Sequence, residues 1–227
     1  MSPERRPLPA DEVAAASAVQ RLADAMLGHE IDPALSAEIS AVIGTLAGRV
    51  EQGATRTKAE AFRIYRGHQR IEHFVETGRW PDPPPDGERV VFDALSFVGG
   101  ELSPLSAGAV FVRDGDDAVG HVRFGPGYEG PPTRVHGGML AATFDEVMGT
   151  VFRVQGLPSA FTASLSVRYE KPAPLQVDLE FRARLRAVEG RKYTVEAEGI
   201  GPDGRFASAE ALFIEMAPEH LQEAMAD

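Results

Sequence analysis

The chain contains no cysteine. That excludes disulfides, cysteine–zinc sites and a cysteine nucleophile, and it fits a reducing compartment. No apolar run approaches the ~18 residues of a membrane span. The opening MSPERRPLPADE has charge and proline but no apolar centre, so no secretory signal and no membrane insertion are expected, and a cytoplasmic location is the default. Positive charge is not in excess either. A net charge of −11 argues against general attraction to nucleic acid or anionic membrane, and any large anionic ligand would need a local basic patch. There is no internal repeat. What is present is an ordinary globular composition, 43% hydrophobic and 25% charged. Its 227 residues suit one domain with an extension, or two small domains.

Residues 1–85 read as a helical extension. Pro9-Ala-Asp11-Glu12 marks a first helix start, with Val13, Ala16, Leu22 and Met26 on one side and an end near Gly28. Asp32-Pro33 predicts an N-cap and a first-turn proline for a second helix. There Leu35, Ile39, Val42, Ile43, Leu46 and Val50 are spaced for one buried face. A third helix is expected from about Thr57 to Glu76, with Arg56, Lys58, Arg63, Arg66 and Arg70 as a basic series. Such a series is first of all a solvated face, and more sharply a phosphate- or partner-binding one. Residues 1–80 carry ten basic against eleven acidic side chains, so a DNA-reading segment is not indicated. Trp80-Pro-Asp-Pro-Pro-Pro-Asp-Gly87 reads as an extended linker, and residues 86–227 as the main domain.

That domain is predicted to be α+β. Short strands are expected at Val90–Phe92, Ala109–Arg113 and Ala118–Phe124, with Asp114-Gly115-Asp116 as a hairpin turn. His121 has no partner at metal-ligand spacing and reads as a surface or structural histidine, with no metal or cofactor implied. Further on, Phe161, Ala163, Leu165, Val167 and Tyr169 alternate with polar residues. So do Leu179, Phe181, Ala183 and Leu185, then Tyr193, Val195 and Ala197. Period-two runs with one polar face describe strands of a sheet covered on one side. Gly201-Pro-Asp-Gly204 is a turn before a last strand to Ile214.

Between these strands lies Arg134-Val-His-Gly-Gly-Met-Leu-Ala-Ala-Thr-Phe-Asp-Glu-Val-Met-Gly-Thr-Val-Phe152. Leu140, Phe144, Val147, Met148 and Val151 form one helical stripe. Asp145 stands at the stripe's edge, about 140° from Leu140 at ~100° per residue. Gly149, one turn on, leaves space above it. Glu146 and Arg153 fall off the stripe and are expected in solvent. The helix N-terminus presents unpaired N–H groups, and Gly137 and Gly138 leave them open to a ligand. Such a terminus can hold a developing oxyanion.

His136-Gly-Gly followed by Asp145 resembles the active-site helix of hotdog-fold thioesterases of the PaaI type. The resemblance extends over Gly130–Gly138, Thr162–Leu175, Val188–Lys192 and Ala207–Phe213, covering roughly residues 88–216. It is similar to the branch that includes the carboxyl-terminal modulator protein, an acyl-CoA thioesterase. The resemblance implies a sheet wrapped around the central helix, with sites between two subunits of a homodimer or dimer of dimers. It implies acyl-CoA as substrate and the Gly137 N–H as oxyanion contact. Asp145 would be nucleophile or general base, a choice the sequence leaves open. His136 would orient the loop or bind the thioester region, and Thr162 would position the carboxylate or water. Gly138 and Met139 would line the substrate, and Lys171, Arg191 and Lys192 would meet CoA phosphates. One departure stands out: some PaaI-type enzymes carry asparagine where this chain has Gly130. A non-catalytic acyl-CoA-sensing protein is the alternative reading. A hydratase ranks last, because no suitably placed Asp/His pair is found. Acyl chain length is not encoded legibly.

Overall fold

The computed structural model describes residues 8–57, 69–91 and 93–217. Helix α1 is Ala10–Gly28, α2 is Pro33–Glu51, α3 is Gln69–Thr77 and α4 is Gly137–Val154. The strands are β1 Arg89–Val90, β2 Val110–Asp114, β3 Asp117–Val122, β4 Ala160–Tyr169, β5 Leu179–Glu189, β6 Lys192–Gly201 and β7 Gly204–Glu215. They form one antiparallel sheet in the order β1-β2-β3-β5-β6-β7-β4.

Helix α4 lies across the inner face of that sheet, as its apolar stripe requires. Leu140, Phe144, Val147, Met148 and Val151 are all buried. Phe144 meets Phe181 edge-on at 4.9 Å, and Phe152 packs against Tyr193 and Phe213 at 5.3 and 5.0 Å. The alternation in β5 and β6 is borne out: Leu179, Phe181, Ala183, Tyr193, Val195 and Ala197 face the core. Their neighbours Arg182, Arg184, Glu196 and Glu198 form the outer face. The turn at Gly115-Asp116 joins β2 to β3, and Gly115 takes a positive φ of 60° there.

Three expectations change. The alternation in β4 is borne out only in part: Leu165 and Val167 are half-buried against the core, while Phe161 and Tyr169 at the strand's ends are 60% and 51% exposed. Among the described residues β4 is the last strand of the sheet, with a neighbour only on its β7 side. The apolar face of α2 is not buried either: none of its residues is, and Leu35, Val42, Ile43, Leu46 and Val50 are exposed. Its start is as read, with Asp32 Oδ1 accepting from the N–H groups of Ala34 and Leu35 at 2.9 Å. Finally, Arg70 does not belong to a solvated face. It donates to the carbonyls of Phe152 (3.0 Å) and Leu157, at the end of α4, and lies 5.4 Å over the Trp80 ring. Lys58, Arg63 and Arg66 lie outside the described residues. The proline-rich stretch after α3 packs against the sheet and helix: Arg113 donates to the Pro84 carbonyl at 2.7 Å, and Gly156 leaves room for Pro81 and Pro83. Among the described residues, no helix is long and apolar enough to cross a membrane.

Candidate active site

The loop leading into α4 is tied at several points. Pro126–Tyr128 forms one 3-10 turn. The Gly130 N–H donates to Arg134 O at 3.0 Å, Val135 N–H to Ala173 O at 2.9 Å, and His136 N–H to Tyr128 O at 2.8 Å. These bonds fold the loop back against His136. A Cβ at Gly130 would lie 2.8 Å from the His136 Cα, closer than side chains pack. Gly130 therefore has a structural reason: no side chain, asparagine included, fits there in this backbone.

His136 is the N-cap of α4, and its Nδ1 accepts from the Gly138 N–H at 3.0 Å. An Nδ1 that accepts leaves the neutral ring's proton on Nε2. With Gly138 capped, the Gly137 N–H meets no acceptor among the described residues. Its carbonyl is held from the other side by the Tyr169 hydroxyl at 2.8 Å, and the Tyr169 ring lies against the glycine. Met139 is half-buried and packs on the core.

Two turns along α4, Asp145 sits half-buried at the core's edge. Thr162, from the edge strand β4, donates its hydroxyl to Asp145 Oδ1 at 2.8 Å. Oδ2 is left for water or substrate. The helix and the strand following it thus run back along each other, with Thr162 beside Asp145 and Tyr169 beside Gly137.

Glu146 and Arg153 are not in solvent as the stripe suggested. The segment 93–107 folds over that side of α4. Ser96 donates its hydroxyl to Glu146 Oε2 and accepts at Oγ from Val98 N–H at 3.0 Å. Burial pushes the Glu146 carboxyl up to about 7; Ser96 and the Gly99 N–H pull down, while Asp93 and Asp145 push it further up. Burial lowers the Arg153 guanidinium to about 10, opposed by Asp93. Two adjacent carboxyls thus have separate environments. Glu146 is engaged by the covering segment, while Asp145 keeps one oxygen free.

The basic residues do not converge within one chain. Lys171 follows the Tyr169 end of β4 and donates to Asp203 O at 3.1 Å. Arg191 donates to Glu215 O at 2.7 Å, and Lys192 pairs with Ile214, which also pairs with Phe161 at the opposite end of β4. At ~3.3 Å per residue the two ends of β4 are ~30 Å apart. His121 is exposed on β3. A groove of about 420 Å³ on the outer sheet face includes Arg182, Arg184, Glu196 and Glu198 and lies on the side away from α4. Among the described residues, no cluster of three His, Asp or Glu side chains can hold a metal ion.

Tyr169, Tyr128 and the Ser96–Glu146 pair were not legible as site residues. Tyr169 reads in sequence as one more apolar member of an alternating strand; only its polar tip at the strand's end hinted at a partner.

Residues 133–207 match the thioesterase superfamily. The mouse acyl-coenzyme A thioesterase THEM4 (Mus musculus) is 37% identical over 93 residues, spanning 40% of each chain. The bovine protein of that name (Bos taurus) is 26% identical over 63% of this chain and 70% of its own. The chain thus aligns with about two fifths of the mouse relative's length. A crystal structure of a thioesterase superfamily protein superposes with a TM-score of 0.70, at 26% identity over 90% of both chains. The antiparallel sheet around α4 is a hotdog fold, and residues 133–207 within it carry the likeness to the thioesterase superfamily.

Proposed function

We propose that the protein hydrolyses acyl-CoA thioesters to free acid and CoA. The observation that carries this reading is the Asp145 carboxylate, aimed by the Thr162 hydroxyl at 2.8 Å with its second oxygen free, on the same helix as an open Gly137 N–H. Thioester hydrolysis needs those two groups: a donor where negative charge develops on the carbonyl oxygen, and a base or nucleophile at the carbonyl carbon. One such donor contributes roughly 3 kcal/mol to lowering the barrier. The superfamily match and the likeness to THEM4 proteins support the substrate class.

Geometry adds a condition. Gly137 and Asp145 are eight residues apart on one helix, or ~12 Å along its axis. Attack needs the carbonyl carbon within ~3.5 Å of the carboxylate while its oxygen meets the N–H. One chain cannot supply both groups to one thioester, so the proposed site pairs Asp145 and Thr162 of one copy with Gly137 of a second. The exposed edge strand β4, which carries Thr162 and Tyr169, is where a second copy has access. In this arrangement His136 holds the turn through its Nδ1 cap and can offer its Nε2–H to the thioester region, while Gly138 and Met139 line the approach. Across the dimer, Lys171 of one copy and Arg191 or Lys192 of the other are the candidates for CoA phosphates.

The test is free-thiol release from a panel of acyl-CoA esters, short to long and aryl, by wild type and Asp145→Asn. Turnover that falls at least a hundredfold in the variant, with CoA-ester binding retained, is expected. Binding without turnover in the wild type overturns the enzyme reading in favour of an acyl-CoA sensor.

A further inference from the structure

Helix α1 lies outside the segment that matches the superfamily, yet it touches the loop that presents the catalytic turn. Its Asp24 carboxylate lies directly over the backbone of residues 125–127: a Cβ built at Gly125 or Gly127 would come within 3.0 Å of it. Gly28, at the helix end, packs on Pro126. The Gly125-Pro-Gly127 sequence thus serves a close approach of helix to loop. Gln20, one turn before Asp24, donates its side-chain amide to Ser106 O.

Tyr128 stands where these contacts meet. Its hydroxyl donates to Leu105 O at 3.0 Å, with the Gln20 amide beside it, and its ring packs edge-on against Phe124 at 5.8 Å. Burial, reinforced by Asp24, pushes the phenol up to about 12, so it remains a hydrogen-bond donor at any physiological pH. Its backbone carbonyl receives the His136 N–H at 2.8 Å. His136 in turn caps the Gly138 N–H, which leaves the Gly137 N–H as the open donor.

We propose that α1 is a brace for the catalytic turn: Gln20 meets the Tyr128 hydroxyl, Asp24 lies over the backbone of residues 125–127 just before it, and Tyr128 in turn holds His136 through its carbonyl and thereby aims the Gly137 N–H. Gln20, Asp24 and Tyr128 are positioning residues and touch no substrate. The inference rests on the thioesterase reading for its consequence but not for its geometry. A brace acts on the group that stabilises the developing oxyanion, which matters more in the transition state than in substrate binding. Loosening it lowers kcat and leaves KM nearly unchanged.

The experiment uses the full chain with Tyr128→Phe and, separately, Gln20→Met. Two readouts are taken: kcat and KM for the acyl-CoA ester turned over best, and amide hydrogen exchange at His136 and Gly138 by NMR. The expected result is a fall in kcat of about five- to tenfold with KM within about twofold, and exchange at both amides faster by at least about fivefold. Residues of β5 and β6 keep their wild-type exchange. Unchanged exchange at His136 and Gly138 in both variants overturns the brace, whether or not the chain turns over acyl-CoA. So does faster exchange spread evenly through the sheet, which marks a general loss of stability. A wild type without turnover refutes the thioesterase reading alone, because the exchange measurement still tests the brace.

Discussion

Glu146→Gln isolates the carboxyl that, among the described residues, burial perturbs most. Its carboxyl rises from 4.5 to about 7, first because it is buried. A carboxyl raised on folding binds its proton more tightly in the native than in the unfolded chain. Its contribution to stability is therefore complete below the unfolded value of 4.5, and it is lost as pH rises through about 7. A shift of this size, at 1.36 kcal/mol per pH unit, corresponds to about 3 kcal/mol. Glutamine is the neutral isostere and cannot ionise, and its side-chain oxygen still accepts from Ser96. The measurement is urea unfolding of both proteins at constant ionic strength, from about pH 5 to about pH 8. Other titrating groups cancel in the difference between the two proteins. The variant is expected to match wild type to within ~1 kcal/mol near pH 5 and to exceed it by about 2–3 kcal/mol near pH 8. Parallel profiles would falsify the claim that segment 93–107 buries Glu146 against α4.

Other substitutions test the site more locally. Thr162→Val removes the donor to Asp145 while keeping the side chain's shape; a lost hydrogen bond to a charged group is worth about 1.5–3 kcal/mol, so kcat should fall about ten- to a hundredfold with the fold intact by circular dichroism. Undiminished kcat would remove Thr162 from the site. Gly130→Ala puts a Cβ 2.8 Å from the His136 Cα, and the loop must shift. It should lose about 1–3 kcal/mol in denaturant titration and most of its turnover; a variant as stable and active as wild type would contradict the close approach.

Much of the central helix was legible in the chain itself. The stripe Leu140–Val151 specified a buried face because helical periodicity puts those residues on one side whatever covers them. The alternation in β5 and β6 specified inner and outer faces for the same reason. His136-Gly-Gly and Asp145 stood out because their order and spacing resemble a known active-site helix, whereas the capping of Gly138 by the His136 ring, which leaves the Gly137 N–H as the open donor, is seen only in the fold. Periodicity names a face but not what meets it. The same alternation in β4 yielded a half-covered strand, with Leu165 and Val167 on the core but Phe161 and Tyr169 exposed, because position in the sheet order is a property of long-range pairing: β4 pairs with β7, some 45 residues later, and among the described residues with nothing on its other side. Likewise α2 displays its predicted apolar face to solvent, and Arg70, read as one of a solvated series, caps the end of α4.

The chemistry divides along the same line. Local sequence determined which residues begin α4, which face it buries and where its carboxylate lies. Only tertiary structure brought Thr162 to Asp145, the Tyr169 hydroxyl to the Gly137 carbonyl, Ser96 to Glu146 and α1 to Tyr128. Contacts within one helix follow from its fixed geometry of ~3.6 residues per turn. Contacts between elements tens of residues apart depend on how the sheet closes around that helix, and no local spacing encodes that.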